Sequence, residues 1–228
     1  PVSLHLVFSG NPGTGKTTVA RLLAKIYCEL GLLSKGHLVE VDRSGLVGGF
    51  IGQTALKVQE VIQKSLGGIL FIDEAYSLTT NRNENDYGYE AVDTLLKAME
   101  DHRDDLVVIV AGYPDLMEEF LNSNPGLRSR FNKFIRFEDY NANELTGIFE
   151  SLCKKSGYRA SEDCMNFTQN FFEQKCEAHN ENFANGREVR NYFEQAMINQ
   201  ANRLSLDKDI SNDKLEELTL ADVENIVL

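Results

Sequence analysis

Gly10-Asn11-Pro12-Gly13-Thr14-Gly15-Lys16-Thr17 fits the pattern G-x-x-x-x-G-K-[S/T], and its flanks decide how the rest of the chain is read. Upstream, Leu4-His5-Leu6-Val7-Phe8 reads as a buried strand. Downstream, from Lys16 to Leu30, the apolar residues Val19, Leu22, Leu23, Ile26 and Tyr27 recur at helical spacing. Strand, glycine-rich loop and helix in that order are the context this motif needs. Glycines let the backbone curl so that several N–H groups point inward at phosphate oxygens. The N-terminus of the following helix adds its partial positive charge at the same place. Lys16 can then reach the outer phosphates of a nucleoside triphosphate, and the Thr17 hydroxyl can ligate Mg²⁺.

Working outward, Ile69-Leu70-Phe71-Ile72 and Leu106-Val107-Val108-Ile109-Val110-Ala111 are unbroken apolar runs, the mark of strands covered on both faces. His37 to Val41 and Phe134 to Phe137 read as further strands. Helical patterns lie between them, over Thr54–Leu66, Tyr89–Met99 and Leu116–Leu121. Alternating strands and helices predict a parallel α/β sheet with helices on both faces. After Tyr140 no continuous β run remains. Asn143–Lys154, Glu162–Cys176 and Glu188–Leu204 read as helices, and Thr219 caps a short final one before Val223. The expected domains are therefore residues 1–139, α/β, and 140–228, all-helical.

Two carboxylates, Asp73 and Glu74, follow the apolar strand Ile69–Ile72 at the edge where open α/β sheets bind ligands. Asp73 can hold Mg²⁺ through its water shell, and Glu74 can orient and deprotonate an attacking water. The pair favours hydrolysis of a nucleotide over phosphoryl transfer to a metabolite. Arg128 and Arg130 sit in Asn124–Phe131, which reads as a loop before the last strand. Their planar donor forks suit a γ-phosphate, offered to the same subunit or to a neighbour.

Composition narrows the partners. The 228 residues carry 23 Lys and Arg against 35 Asp and Glu, a net charge of −12, so the average field repels nucleic-acid phosphate. No apolar stretch approaches the roughly 18 residues of a membrane helix. Cys28, Cys153, Cys164 and Cys176 match no zinc spacing and read as free thiols of a reducing cytoplasm. His5, His37, His102 and His179 are scattered, with no cluster for a metal. The start at Pro1-Val2, directly before a strand, reads as a fragment with its upstream part missing.

Taken together, Gly10–Arg21 (GNPGTGKTTVAR), Lys35–Leu38 (KGHL), Gly48–Thr54 (GGFIGQT), Gly67–Ser77 (GGILFIDEAYS), Asp104–Tyr113 (DDLVVIVAGY), Asn124–Phe131 (NPGLRSRF) and Asn185–Asn191 (NGREVRN) resemble the AAA+ ATPase superfamily. More narrowly they resemble its CbbX/CfxQ group, which includes red-type Rubisco activases and stage V sporulation protein K. The resemblance runs over nearly the whole chain. It implies a P-loop NTPase large domain followed by a small helical lid. It also implies an ATP- and Mg²⁺-dependent hydrolase that assembles into a homo-oligomer, a hexamer, and remodels or threads a protein substrate. On this resemblance the nucleotide is held by Asn11, Pro12, Gly13, Thr14, Gly15, Lys16, Thr17, Thr18, Asp73 and Arg187. Thr17 and Asp73 serve Mg²⁺, and Glu74 is the catalytic carboxylate. Arg130, with Arg128 as second candidate, is the finger for the next subunit. Arg187 is the lid's own arginine, with Arg190 in reserve. Phe50, Ile51 and Gly52 form a pore loop that grips peptide, and Asn81–Gly88 form a second. The superfamily's sensor-1 position falls on Tyr113 rather than Asn, and the segment that packs on adenine elsewhere is absent before Leu4. The alternative is a nucleic-acid motor or loader built on the same core motifs.

Overall fold

A computed structural model describes residues 4–50, 52–80, 86–178, 183–206 and 211–227. The chain divides into two compact units, one ending at Asn11 and resuming over Gly15–Phe137, the other made of Pro12–Thr14 and the chain from Glu138 onward.

The first unit is built on five parallel strands: β1 (Leu6–Gly10), β2 (Leu38–Val41), β3 (Ile69–Ile72), β4 (Val107–Gly112) and β5 (Phe134–Phe137), in the order β2-β3-β4-β1-β5. Its helices are α1 (Lys16–Glu29), α2 (Arg43–Leu46), α3 (Gln53–Ser65), α4 (Gly88–Asp101), α5 (Pro114–Asn122) and α6 (Pro125–Arg130). The two-residue side-chain period explains the apolar runs. Leu70 and Ile72 of β3 join Val108 and Val110 of β4 in a core with α3, α4 and α5, while Ile69 and Phe71 join Val107, Ile109 and Phe8 in a core with α1. All four β3 residues are fully buried, and burying each such side chain is worth about 1.5–3 kcal/mol. This places the residues after β1 and β3 at one edge of the sheet, with β4 between the two strands.

Asn124–Phe131, read from sequence as a loop, is instead helical over Pro125–Arg130. Pro125 fits the first helical position and the Asn124 side chain accepts the Gly126 N–H at 2.8 Å. Six residues are too few for a periodicity signal.

The second unit contains α7 (Ala142–Lys155), α8 (Glu162–Glu177), α9 (Gly186–Ser205), α10 (Asn212–Glu216) and α11 (Leu220–Val223). It adds a two-residue parallel pair, β6 (Arg159–Ala160) with β7 (Glu217–Leu218), too short to read as strand. Its core gathers Leu145, Phe149, Phe172, Tyr192 and Phe193. Buried Asp222 takes the Arg203 guanidinium on both oxygens, at 2.8 and 2.9 Å, and the Thr219 N–H at 2.8 Å. Burial alone would raise this carboxyl; the Arg203 and Thr219 bonds outweigh it and hold it below the ordinary range.

Candidate functional site

The loop after β1 passes directly into α1. Gly15 stands at φ 92°, a conformation glycine adopts without a Cβ penalty, and no side chain caps the first turn of α1. Backbone N–H groups at such a helix start are the kind that receive an anion. Lys16 folds its ammonium back along the loop and donates to the carbonyls of Gly10 and Asn11, each at 2.8 Å. The Thr17 hydroxyl donates to Glu40 Oε1 at 3.4 Å, and Arg21 pairs with the other Glu40 oxygen at 3.7 Å. Thr18 is exposed one position further along α1. Glu40 is a carboxylate that sequence reasoning passed over. Its only signal was its place in β2, one residue before the strand end.

Asp73 and Glu74 leave the end of β3 in a tight turn. The Asp73 N–H donates to Val41 O at 2.9 Å, and Asp73 Oδ1 accepts the Glu74 N–H at 3.1 Å. Glu74 stands at φ 48°, ψ 44°, one of two non-glycine residues with positive φ among those described. A left-handed glutamate costs of order 1 kcal/mol and persists only where its surroundings hold it there. A 3₁₀ turn, Ala75–Leu78, follows at once with Ala75 and Leu78 buried, which anchors it.

Two clefts open beside these residues. One, about 350 Å³, is lined by Glu40, Asp42, Ser44, Gly45 and Asp73. The other, about 460 Å³, brings Glu74 and Ser77 together with Arg43, Gly48 and Gly49. Arg43 ties this region: it donates to Ser77 O at 2.6 Å and to the buried Asp86 carboxylate at 2.6 Å. Tyr76 lies beside Tyr113, ring centroids 6.3 Å apart. Burial, with Glu74, Tyr113 and Asp73 adding to it, pushes the Tyr76 phenol up to about 12. It remains neutral next to two carboxylates. Among the described residues no three His, Cys, Asp or Glu side chains gather as a metal-binding group.

The remaining candidates lie elsewhere. Phe50 is 71% exposed, and Gly52 follows at φ 79° as the cap of α3. Ile51, and 81–85 of the second candidate loop, lie outside the described residues, as does His179. In α6, Arg128 pairs with Glu118 and donates to Asn122 Oδ1 at 3.1 Å, while Arg130 pairs with Glu100 at 3.4 Å. Both arginines are therefore engaged within their own unit. Arg187 and Arg190 are exposed on α9, off the face that buries Val189, Tyr192 and Phe193. No helix among the described residues is long and apolar enough to cross a membrane.

Residues 6–139 match the AAA description, ATPase family associated with various cellular activities, and residues 141–227 match the AAA lid domain. Protein CbbX of Cereibacter sphaeroides is 48% identical over 202 residues, covering 89% of this chain and 65% of that protein. Stage V sporulation protein K of Bacillus subtilis is 45% identical over 224 residues, 96% of this chain and 69% of its own length. The chain thus spans just under two thirds of the CbbX protein it matches. A solved katanin structure shares the fold with a TM-score of 0.61 at 21% identity, over 96% of this chain and 69% of that one.

Proposed function

The chain belongs to the AAA family of ATPases, and from that membership we propose that it binds ATP with Mg²⁺ and hydrolyses it to ADP and phosphate. It does so as a ring of copies, a hexamer, acting on a protein substrate in the cytoplasm. The observation that carries this reading is the cleft that joins Glu74 to Gly48 and Gly49. It sets the water-activating carboxylate beside the base of the exposed Phe50 loop.

The roles follow from the residues. Backbone N–H groups between Asn11 and Thr18, Pro12 having none, receive the phosphates, and Lys16 exchanges its two loop carbonyls for phosphate oxygens. Thr17 and Asp73 offer a hydroxyl and a carboxylate, hard oxygen donors of the kind Mg²⁺ takes alongside nucleotide phosphates. When bound, the cation neutralises charge on the phosphate oxygens. Glu74 holds a water and accepts its proton as the water oxygen attacks the terminal phosphorus. The bond to the bridging oxygen then breaks, and ADP leaves with the electron pair. Tyr76, neutral through the physiological range, adds no charge beside Glu74.

Arg130, or Arg128, serves a neighbouring copy's nucleotide. The ion pairs each must release are partly exposed and worth little, at most about 1 kcal/mol, so the cost of redeployment is small. Arg187, or Arg190, serves from the lid. Phe50 presents an exposed ring on a glycine-flanked loop, suited to gripping peptide without sequence preference. The −12 charge supports a protein over a nucleic-acid substrate, and the free thiols support a reducing compartment. The test is ATP turnover measured against protein concentration, with sizing in parallel. Rate per subunit should climb as the ring assembles; a rate independent of assembly would remove the shared-site part of the proposal.

A further inference from the structure

Three consecutive carbonyls of the Gly10–Thr17 loop are each held by a donor from elsewhere in the second unit, to which Pro12–Thr14 themselves belong. Asn185 Nδ2 donates to Pro12 O at 3.3 Å, Gly186 N–H to Gly13 O at 3.1 Å, and the Tyr140 hydroxyl to Thr14 O at 3.0 Å. Among the described residues no peptide bond is cis. In a planar trans peptide the N–H points opposite to the C=O. Fixing these three carbonyls outward therefore turns the N–H groups of Gly13, Thr14 and Gly15 to the other side. Successive amides turned one way make an anion-binding concavity.

Asn185 is placed for this at a cost. It stands at φ 50°, ψ −125°, the second position of a mirror-type turn closed by Arg187 N–H to Ala184 O at 3.0 Å. Glycine occupies that position readily and asparagine does not. Yet Asn185 is fully buried and its amide is put to use. Oδ1 accepts the Tyr140 N–H at 2.9 Å, and Nδ2 also donates to Asp139 at 2.8 Å. The approach leaves no room for side chains: a Cβ on Gly13 would lie 2.0 Å from Ala184 O. A strained residue whose side chain meets four backbone or carboxylate partners, the Phe183 carbonyl at 3.4 Å being the fourth, is held there by those bonds, not by backbone preference.

We infer that Asn185, seconded by Tyr140, is a positioning residue for phosphate, orienting the loop amides before nucleotide arrives and without touching it. The inference rests on the ATP-binding reading above.

Three variants test it. Asn185→Gly keeps the turn and removes the amide. Asn185→Asp keeps the size but puts an acceptor opposite Asp139 and the Pro12 carbonyl. Tyr140→Phe removes one hydroxyl and nothing else. Affinity for ADP with Mg²⁺ is measured by calorimetry at a temperature where circular dichroism shows each variant folded. We expect roughly tenfold weaker binding for both Asn185 variants and about threefold for Tyr140→Phe. A purely structural role would lower the melting temperature and leave the affinity of the folded protein unchanged, and that result in Asn185→Gly and Tyr140→Phe overturns the inference. Should Asn185→Gly fail to fold, Tyr140→Phe alone decides, and unchanged affinity there overturns it. Wild type that binds no ADP would remove the ATP-binding reading and this inference with it; wild type that binds, with indifferent variants, removes this one alone.

Discussion

Acidification should destabilise the sheet through one histidine. His5, 5% exposed, sits one residue before β1; its Nδ1 accepts the Val108 N–H of β4 at 3.0 Å, and its ring stands 6.0 Å from that of Phe131. Protonation at Nδ1 would abolish that acceptor and leave a cation in an apolar site. Burial, with repulsion from Arg130 and Lys133 behind it, lowers the imidazole from 6.5 to about 4. Because the folded value lies below the unfolded one, the unfolded chain takes up the proton first. The contribution of neutral His5 is therefore fully present above pH 6.5, declines as pH falls through the window from 6.5 to 4, and is gone below it. A shift of that size at about 1.4 kcal/mol per unit corresponds to about 3 kcal/mol. The assay is urea unfolding of wild type and His5→Gln between pH 7.5 and 4. Carboxylates titrate in both proteins and cancel in the difference. Wild type should lose about 3 kcal/mol relative to His5→Gln across the window, and a difference flat with pH would refute the argument.

Other consequences are equally direct. Asp222→Asn leaves Arg203 facing a neutral amide in the lid and should cost about 2–3 kcal/mol, somewhat less than the roughly 3–5 kcal/mol of a fully buried pair because Arg203 is one-third exposed; an unchanged melting temperature would contradict this. Cys153 and Cys164 are buried, and burial pushes their thiols up to about 12 and about 11. With iodoacetamide at pH 8, mass spectrometry should find Cys28 labelled well before either; early labelling of Cys164 in folded protein would be the opposite result. Arg130→Ala should reduce turnover by roughly a thousandfold in assembled protein while altering stability by less than about 1 kcal/mol, and full activity in a verified ring would exclude it as the finger.

How far the chain could be read without coordinates depends on the range of the interactions involved. Ile69–Ile72 announces a doubly covered strand because both its faces are apolar, and the structure buries both. The Gly10–Thr17 loop announces itself because a backbone that must curl needs glycine at set positions. Short elements escaped: α6, β6 and β7 are set by a cap and by pairing between segments distant in the sequence, which leave no periodic trace. So did partnerships between distant residues. Glu40 meets Thr17 from 23 positions away, Arg43 meets Asp86 from 43, and Asn185 meets Pro12 from 173. Asn185-Gly186 did carry a local signal, an Asn-Gly pair at a helix start, but the identity of the carbonyls it holds is a property of the fold alone. Arg128 and Arg130 were identified by chemistry, and only the structure shows the acids that engage them within the same chain.

The central claim is that Glu74 directs water onto a triphosphate gripped around Lys16, and Glu74→Gln tests it most directly. Removing one carboxylate oxygen's basicity while keeping the side chain's shape should leave ATP affinity within about threefold of wild type. Phosphate release should fall at least about a hundredfold. Glu74→Gln protein that binds ATP and still turns it over at the wild-type rate would contradict the account.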